Sequence, residues 1–501
     1  MKVLGALCDK LLQILFALMM ICIYCAVLYW DKIPENPYPS VALFPNGLYF
    51  AIAVFIMAGI WAAAGRRKHR DLSTMQFRLL LLGIMVLVMA LHVCIARWMP
   101  VGLARDFARV RKMAMHLAKG GTFADNGLYF VTNPNNVPIT ILFSWIVKVS
   151  GSWRAVILIG MLCMNLSAVL TGLTVRNWTG SARAGIAACV ITEVLAGLTW
   201  RGFIPYTDNY GMLFVSLMIW EYALPMRREW KAPLIVLTAM IGGWIKITVL
   251  IVLLGIIIHA VLLGMESKKQ AATGRITRGM IAPLILCLAI VAAGFAAGKA
   301  IDRRYNFATD EKHTMGWQYY FMMGQDESGL GTVAGQDYRL IKDEVNEKYD
   351  LRKDRMDAFL QAAIQYVKER GVRGNLIFAG KKLNLAYSDG QFHNMQLYEK
   401  EVADDGLLYK LYFREGKYSF VIAECMQLLW SLVLVMIGIG MIPGIGGRDD
   451  PTRLLSIILI GVTLYVLLFE VRSKYLFMFV PLYILMGVHA AFRLITKRGK
   501  I

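Results

Sequence analysis

The segment from Ala232 to Gly264 reads APLIVLTAMIGGWIKITVLIVLLGIIIHAVLLG. It is longer than the roughly 20 apolar residues that one helix needs to cross a hydrocarbon layer of about 30 Å. Gly242, Gly243 and Lys246 interrupt its interior, and an ionisable group inside an apolar run is costly. We therefore predict two short helices that form a hairpin in a membrane.

Similar apolar runs recur along the whole chain. Of its 501 residues, 57% are hydrophobic and 18% are charged, whereas soluble domains are roughly 45–50% apolar and about 25% charged. This composition excludes a soluble enzyme, a disordered chain, a fibrous protein and a disulfide-rich secreted domain. The runs also lack the alternation of an outer-membrane barrel. We predict an all-α polytopic membrane protein with about 11–13 transmembrane helices. Besides the hairpin, the predicted spans are 11–30, 48–65, 77–98, 153–175, 207–226, 280–298, 418–442, 454–471 and 476–495.

Basic residues collect in short loops and predict the orientation, because cytoplasmic loops are enriched in Lys and Arg. The net charge of +20 therefore does not indicate a nucleic-acid partner. The predicted cytoplasmic clusters are Arg66–Lys68, Arg227–Arg228, Lys268–Lys269 with Arg275 and Arg278, Arg448 with Arg453, and Lys497–Arg498. The N-terminus then lies inside, whereas 99–136, the segment near Asp208, 299–417 and the loop around Glu470 lie outside.

One part of this topology does not close. Three apolar runs separate 99–136 from Asp208, and two of them, 137–150 and 184–200, are short. Three full crossings would put the flanking segments on opposite sides, although both are predicted outside. One of the short runs therefore does not cross completely, and the sequence does not indicate which.

The charge distribution divides the chain into three parts. Residues 1–298 form a transmembrane module with the outer loop 99–136, and 418–501 supply the C-terminal transmembrane helices. Between them, 299–417 is rich in both acidic and basic residues, and it is long enough for a small folded domain. We expect an extracytoplasmic α/β or α+β domain there, with a helical stretch near 354–370.

The eight cysteines lie in or beside apolar runs, without the paired CxxC motifs of a zinc site or the pattern of a disulfide framework. The first run is too long for a signal peptide and is interpreted as a retained helix. The chain has no phosphate loop, HExxH, GxSxG or dinucleotide-binding fingerprint. Any chemistry must come from polar residues at the outer membrane face.

Asp106 is the first candidate, because it follows a membrane exit and begins an amphipathic stretch in which Val110, Met113 and Leu117 share one face. An interfacial helix of this kind holds the carboxylate where a lipid headgroup meets water. There it has the chemistry to take a proton from an acceptor hydroxyl. The structural alternative is that Asp106 caps the helix or pairs with Arg109.

Further candidates stand at the entrances of other apolar runs. Tyr129, Asn135 and Asn136 precede one run, where Asn residues also make ordinary turns. Tyr206 and Asp208 precede another run. Asp208 suits a helix cap, a carboxylate that binds an acceptor hydroxyl, or one that steadies a cation beside Asp106.

Two cationic positions suit a phosphate. Lys246 is either functional or a lysine that snorkels from a short hairpin. Arg472 has the planar fork that binds phosphate, with Glu470 placed to orient it and Tyr475 nearby. The structural alternative for this loop is a boundary of paired charges.

The order of these motifs resembles the GT-C superfamily of membrane glycosyltransferases, and more narrowly the protein-mannosyltransferase-like membrane proteins of Gram-positive bacteria. The resemblance covers most of the chain. It rests on Asp106 with the downstream Ala118-Lys-Gly-Gly stretch, Tyr129-Phe130, Pro134-Asn-Asn136, Tyr206-Thr-Asp208, Lys246 and Glu470-x-Arg472-x-x-Tyr475, with Phe321-Met-Met-Gly and Ser388-Asp-Gly-Gln-Phe in the outer segment.

Two departures stand out. The usual enzymes place the outer-loop Asp after the first span, whereas Asp106 follows the third apolar run. The final motif has Ser473-Lys474 where Arg or Gln-Pro-Arg often stands beside the Tyr.

The resemblance implies an inverting transfer of a sugar from a polyprenyl-phosphate donor to a wall polymer, a lipid-linked glycan or a protein, on the extracytoplasmic face of the cell membrane. Asp106 would be the base. Arg472 and Lys246, with Tyr475 and Glu470, would bind the donor phosphate. Asp208, Tyr129, Asn135, Asn136 and Tyr206 would bind acceptor or donor. No cofactor is implied, and a divalent metal is possible but not indicated.

Other functions fit a polytopic chain with a polar outer segment. A transporter or flippase of lipid-linked saccharides predicts inverted repeats and broken helices, of which the sequence offers only the interrupted hairpin. A ligase or polymerase that uses undecaprenyl-diphosphate-linked glycans would share a glycosyl transfer but take a longer donor. A non-catalytic scaffold would not need clustered outer-face Asp, Lys and Arg residues.

Overall fold

The computed structural model is almost entirely helical. It describes residues 2–30, 33, 36, 42–64, 71–98, 102–125, 128–197, 199–266, 278–392, 398–399, 406–413, 415–441 and 451–498. The basic clusters at 66–68, 268–269, 275 and 448 lie outside the described residues, as do the side chains of Arg228, Arg278, Lys497 and Arg498.

Among the described residues, eleven α-helices lie before residue 267. They are α1 (Lys2–Tyr29), α2 (Asn46–Ala64), α3 (Thr74–Trp98), α4 (Arg105–Ala118), α5 (Leu128–Thr132), α6 (Val137–Ser150), α7 (Trp153–Thr179), α8 (Ala182–Thr192), α9 (Thr207–Ala223), α10 (Arg228–Ile245) and α11 (Leu250–Glu266). A π-helical turn, Glu193–Gly197, extends α8.

The second half begins with α12 (Arg278–Arg304) and ends with α20. The helices that follow α12 are α13 (Trp317–Gln325), α14 (Asp337–Lys348), α15 (Arg352–Tyr387), α16 (Leu407–Tyr412), α17 (Ser419–Gly440), α18 (Pro451–Leu468), α19 (Lys474–Phe477) and α20 (Val480–Arg498). Two short strands, β1 (Gly102–Leu103) and β2 (Tyr398–Glu399), pair antiparallel.

Glycine and serine determine where consecutive helices separate. Gly151 ends α6 and Gly180 ends α7, both in the left-handed region with φ of 68° and 73°, which glycine adopts without steric cost. Ser152 and Ser181 then cap α7 and α8 by accepting backbone N–H bonds from the first turn. Caps of this kind satisfy donors that the helix itself leaves unpaired, so the breaks at these two Gly-Ser pairs are encoded locally.

Seven of the described helices are long and apolar enough to cross a membrane: α1, α2, α3, α7, α12, α17 and α18. This confirms an all-α, multi-pass membrane protein. Helix α9 is not in this set because it has only 17 residues, and it buries Asp208 and Glu221 among its neighbours. A helix that other helices cover does not need an apolar surface toward lipid.

Contacts between helix ends define two ends of the bundle. At the end we call the site end, the start of α9 meets the start of α6, and the end of α18 meets α15. At the opposite end, Arg453 of α18 forms an ion pair with Asp9 of α1 at 2.7 Å, and the Asp71 carboxylate before α3 accepts backbone N–H bonds at the start of α8.

The short run 137–150 is the one that does not pass between the two ends. Asn136, at the start of α6, bonds to Tyr206 at the site end. Trp153, which begins α7 after α6, lies 5.8 Å from the Arg111 guanidinium of α4. In the middle of α6, Trp145 donates a 2.6 Å hydrogen bond to the Tyr305 hydroxyl just after α12. Helix α6 therefore lies along the site end, whereas α8, from the run 184–200, passes through the bundle.

The predicted hairpin is present. Helices α10 and α11 meet at Lys246, whose backbone is extended with φ of −152° and ψ of 113°. Pairing of this lysine with Asp208 places the turn at the site end. The break between α10 and α11 thus places the Lys246 ammonium at the site end of the bundle.

The outer segment 299–417 is helical in its described part, and its strand β2 pairs outside the segment with β1. The expected α/β or α+β domain is therefore not shown. The predicted helix near 354–370 is present as the first part of α15, which is interrupted at Gly371 with φ of 61°.

The second part of α15 inserts into the bundle. The Tyr387 hydroxyl bonds to Thr463 of α18 at 2.7 Å and to Tyr483 of α20 at 2.9 Å, and Trp430 of α17 donates to the Tyr387 carbonyl. This half belongs to the main core, whereas Met322, Phe359 and their neighbours form a separate small cluster outside it.

Candidate functional site

Helix α4 presents Asp106 at the site end. Phe107, Val110 and Leu117 are buried on one face of α4, which packs against α6. Ala104 is the N-cap residue and contributes no side-chain cap, so Asp106 does not cap the helix. Its carboxylate lies 3.9 Å from Arg109 and its side chain is 54% exposed. An exposed pair at this separation contributes little stability, so the carboxylate remains accessible.

The residue before Asp106 has an unusual backbone. Arg105 has φ of 53°, in the left-handed region that residues other than glycine seldom adopt. This turn connects the short β1–β2 pair to α4. Strained conformations of this kind persist where the surrounding structure fixes them, and here the strained residue stands where the chain passes from β1 into α4.

Asn136 joins two tyrosines beside Asp106. Its side-chain amide donates a 2.8 Å hydrogen bond to the Tyr129 hydroxyl, and its carbonyl oxygen accepts a 2.7 Å bond from the Tyr206 hydroxyl. The ring of Tyr206 also packs edge-on against Phe107 of α4, with 4.8 Å between centroids. Residues from three sequence segments thus converge on α4.

The charges around Tyr129 link it to Asp106. Arg109 lies over the Tyr129 ring, with its guanidinium carbon 4.8 Å from the centroid. Burial and the neighbouring Asp106 carboxylate hold the pKa of the Tyr129 phenol well above its ordinary value. Tyr129 therefore remains a neutral hydrogen-bonding group beside an accessible carboxylate.

Asp208 and Lys246 form a buried ion pair next to this cluster. Their side chains are only 3% and 16% exposed. Removing one partner of such a pair leaves an uncompensated buried charge, whereas the intact pair is close to neutral in stability. The Lys246 ammonium also lies 5.8 Å from the centroid of the Tyr475 ring, which connects the hairpin to the segment after α18.

The segment after α18 supplies a second buried pair. The Arg472 Nε lies 3.1 Å from the Glu470 carboxylate, and the Tyr475 hydroxyl donates to the same carboxylate. Although burial opposes it, the positive charges of Arg472 and Lys474 lower the pKa of Glu470. Glu470 therefore stays ionised and fixes both the guanidinium and the phenol.

Tyr320 of α13 lies between the two halves of the site. Its hydroxyl is 3.5 Å from the Asn133 side-chain oxygen. Burial, then the carboxylates of Glu470 and Asp106, raise the pKa of Tyr320 to about 12.

Direct contacts connect the two ends. Tyr206 packs on Phe107 beside Asp106 and lies two residues before Asp208, and Lys246, the partner of Asp208, lies beside Tyr475. The Asp106 end and the Arg472 end therefore belong to one polar region.

Lys382 of α15 anchors the Glu470 segment. Its ammonium donates to the carbonyls of Gly324, Leu467 and Phe469 at 2.7, 2.8 and 2.7 Å. Three acceptors match the three protons of an ammonium, and two of them belong to the C-terminal end of α18, where a cation is favoured. The last of these carbonyls precedes Glu470 directly.

The structure brings together nine of the ten predicted site residues. They are Asp106, Tyr129, Asn136, Tyr206, Asp208, Lys246, Glu470, Arg472 and Tyr475. Asn135 is exposed, and it is Asn136 that lies between the tyrosines. Arg472, predicted to bind phosphate, is 4% exposed and already paired with Glu470.

Sequence reasoning missed two members of the site. Tyr320 stands in the aromatic cluster Trp317-Gln-Tyr-Tyr-Phe, which indicated structure rather than a role. Lys382 follows another lysine in a stretch that also reads as an exposed helix, so nothing in the local pattern indicates its complete burial.

The arrangement combines the accessible carboxylate of Asp106 with two cations, Lys246 and Arg472, that ion pairs hold in place. The carboxylate of Asp106 has the chemistry of a general base. Lys246 and Arg472 have the chemistry that stabilises developing negative charge, and fixed ion pairs pre-orient them. Among the described residues no group of three His, Cys, Asp or Glu side chains is arranged to hold a metal ion.

Comparisons with known proteins place the chain in a family but do not add a site. No curated protein and no solved structure matches it. A family model described as a conserved hypothetical integral membrane protein matches residues 5–493. The match covers nearly the whole chain, including every residue of the candidate site. The chain therefore belongs to this family of conserved hypothetical integral membrane proteins.

Proposed function

We propose that the protein is an inverting glycosyltransferase that moves a sugar from a polyprenyl-phosphate donor to an acceptor on the extracytoplasmic face of the cell membrane. The observation that carries this proposal is the row of side-chain contacts between the two ends of the site. It runs from Tyr129 and Tyr206, beside Asp106, through the Asp208–Lys246 pair to Tyr475 and the Glu470–Arg472 pair. An acid–base group and a phosphate-binding group are the two parts that such a transfer requires.

Asp106 acts as the base on the acceptor side. Its exposed carboxylate takes the proton of an acceptor hydroxyl as that oxygen attacks the anomeric carbon of the donor sugar. Tyr129 stays neutral next to it and orients the sugar or the acceptor by hydrogen bonding. Asn136 holds Tyr129 and Tyr206 in register.

The cations act on the donor side. As the bond between the anomeric carbon and the phosphate oxygen breaks, the polyprenyl phosphate leaves with one more negative charge than it carried in the donor. Arg472, Lys246 and Lys474 lie near Tyr475 and stabilise this charge where it develops. Glu470 and Asp208 keep the first two in place, so little reorganisation is needed during the reaction.

The test is transfer of radiolabelled sugar from a polyprenyl-phosphate donor by the full chain in lipid nanodiscs, with membrane extracts as acceptor. Asp106→Asn keeps the size of the side chain and removes the base. We expect its transfer rate to fall by about 10²–10⁴-fold, the usual contribution of a general base, with unchanged yield and thermal stability.

Asp343→Asn is the matched control, because Asp343 is an exposed aspartate of α14 with a side chain that is 66% exposed. It should transfer at the wild-type rate. Normal transfer by Asp106→Asn would remove the base from the proposal. Movement of intact lipid-linked saccharide across the bilayer without transfer would replace it by the transport function.

A further inference from the structure

The exposed face of α4 carries a line of positive charge. Arg105, Arg109 and Lys112 of α4 are exposed, as is Lys119, which directly follows the helix, and we call these four residues the cationic stripe. They are spaced so that they lie on one side of the helix, opposite the buried Val110, Met113 and Leu117. At about 1.5 Å per residue, the stripe is roughly 21 Å long.

Little acidic charge offsets the cationic stripe. Asp106 lies 3.9 Å from Arg109, and Asp125 pairs with His116, which stands within the same face, at 2.8 Å. Within the part of the chain that the structure describes, no ion pair involves Arg105, Lys112 or Lys119. The stripe therefore keeps most of its positive charge.

The location of the stripe makes this charge unusual. Cytoplasmic loops of membrane proteins are enriched in Lys and Arg, and translocated loops are depleted of them. In the orientation of the proposed function, α4 lies on the translocated side. A concentration of basic residues there opposes the usual bias and calls for an anionic partner.

The apolar face of α4 identifies which anionic partner fits. That face is buried against α6 in a protein core with Phe123, Phe130 and Phe143, so α4 does not insert it into lipid as a membrane-binding amphipathic helix would. The stripe points away from this core into solvent. A linear array of cations in solvent matches a chain of regularly spaced anions better than a lipid surface.

We propose that the cationic stripe binds a polyanionic acceptor, a phosphodiester-linked chain with free hydroxyl groups, and guides it to Asp106. This inference rests on the proposed function, because it names the acceptor class of that site. Arg109 connects the two, since it belongs to the stripe and also lies over the Tyr129 ring beside Asp106. Arginine forks suit phosphodiester oxygens particularly well.

The experiment measures binding of a fluorescent poly(glycerol phosphate) oligomer to the full chain in nanodiscs of neutral phosphatidylcholine. The test variant is Arg105→Gln with Lys112→Gln and Lys119→Gln, which leaves Arg109 and Asp106 intact. We expect the wild type to bind with a strong salt dependence, and the triple variant to bind roughly tenfold more weakly at low salt.

The matched control is Lys348→Gln with Lys353→Gln and Lys368→Gln, which removes three exposed charges from α14 and α15. It should bind the oligomer like the wild type. A neutral dextran should bind none of the proteins in a salt-dependent manner. Hydrolysis of the donor to free sugar should stay at the wild-type rate in Lys112→Gln with Lys119→Gln, because these two residues of the stripe do not adjoin Asp106.

Three outcomes would overturn the inference. One is equal binding of the oligomer by the wild type and the triple variant. Another is equal loss of binding in the control triple. The third is that the triple variant loses binding only to vesicles rich in phosphatidylglycerol and not to the oligomer, which would assign the stripe to lipid. Each is separate from the proposed function, since binding is measured without transfer and the Asp106→Asn result stands by itself.

Discussion

At the scale of single residues, the buried pair of Asp208 and Lys246 offers a sharp test of the site. Lys246→Met leaves the Asp208 carboxylate, 3% exposed, without its compensating charge. Losing one partner of a buried pair costs about 3–5 kcal/mol in unfolding free energy. We expect a marked loss of thermal stability in detergent, measured by the unfolding temperature.

The double variant Asp208→Asn with Lys246→Met is the control for this prediction. It removes both charges, and replacement of a whole buried pair is often close to neutral. We expect most of the lost stability to return while transfer stays low. A double variant as unstable as Lys246→Met alone would show that the two side chains do not depend on each other.

Individual residues also show what a local sequence pattern can and cannot indicate. Asp106, Lys246 and Arg472 stand out because a charged group beside or inside an apolar run is costly and needs a reason. Lys382 does not stand out, because its helix is rich in charge. Its burial arises from the tertiary contact with the end of α18, which no local pattern records.

At the scale of elements, α6 answers the topology question that the sequence left open. A helix of 14 residues is about 21 Å long and so falls short of a hydrocarbon layer of about 30 Å. The sequence alone does not distinguish the runs 137–150 and 184–200, because both are short. The choice depends on where Trp145 and Trp153 find their partners.

Cysteine labelling tests the position of α6. In a variant with the eight native cysteines replaced, Asn135→Cys and Ser150→Cys flank α6 at exposed positions. We expect a membrane-impermeant maleimide to label both from the same side of the membrane, because α6 does not cross. Arg227→Cys, exposed at the other end of α9, should be labelled only from the opposite side. Labelling of positions 135 and 150 from different sides would mean that α6 spans.

The start of α8 gives a pH-dependent prediction. The Asp71 carboxylate accepts N–H bonds from Ala182 and Arg183. Although burial opposes it, these bonds lower the pKa of Asp71. A lowered pKa in the folded state means that the carboxylate stabilises the fold above its ordinary pKa. That contribution is lost as the pH falls through the folded-state value.

Asp71→Asn should therefore be less stable than the wild type at neutral pH, by at most about 1 kcal/mol because the carboxylate is largely exposed to solvent. The difference should shrink on acidification, as the wild-type side chain becomes protonated. Unfolding temperatures measured across the acidic range test this. A constant difference at all pH values would contradict a role for the ionised carboxylate.

At the scale of the whole molecule, the outer segment and the bundle are joined through Lys382. Its three carbonyl acceptors come from α13 and from the end of α18. Lys382→Met removes these bonds and leaves the carbonyls unsatisfied, at a cost of about 1–3 kcal/mol for each buried group. We expect lower stability and a loosened Glu470 segment, detected by hydrogen exchange of residues 467–475.

Lys382→Arg is the informative comparison. An arginine keeps the charge and several donors, although its planar fork fits three convergent carbonyls less well. We expect partial recovery of stability and of protection from exchange. If Lys382→Met leaves exchange in 467–475 unchanged, then Lys382 does not anchor this segment.

The overall architecture was only partly accessible from sequence. Apolar runs predict the membrane class and most helices, because lipid requires long apolar segments. The outer segment was expected to contain a sheet, yet the second part of α15 packs into the bundle through Tyr387 and Lys382. The polar composition of 299–417 indicated a separate domain, whereas the buried contacts of a few large side chains determine where the second part of α15 lies.

The position of α6 also has a consequence for how the protein responds to its lipid. Helices that cross a bilayer adjust their tilt when its thickness changes, but a helix lying along one surface follows the headgroup level instead. Helix α6 directly follows Asn136, which is bonded to Tyr206 at the start of α9. Thinning or thickening of the bilayer would therefore strain the hydrogen bonds of the Asn136 side chain. The acyl-chain length of the lipid would then affect how Tyr129 and Tyr206 are aligned.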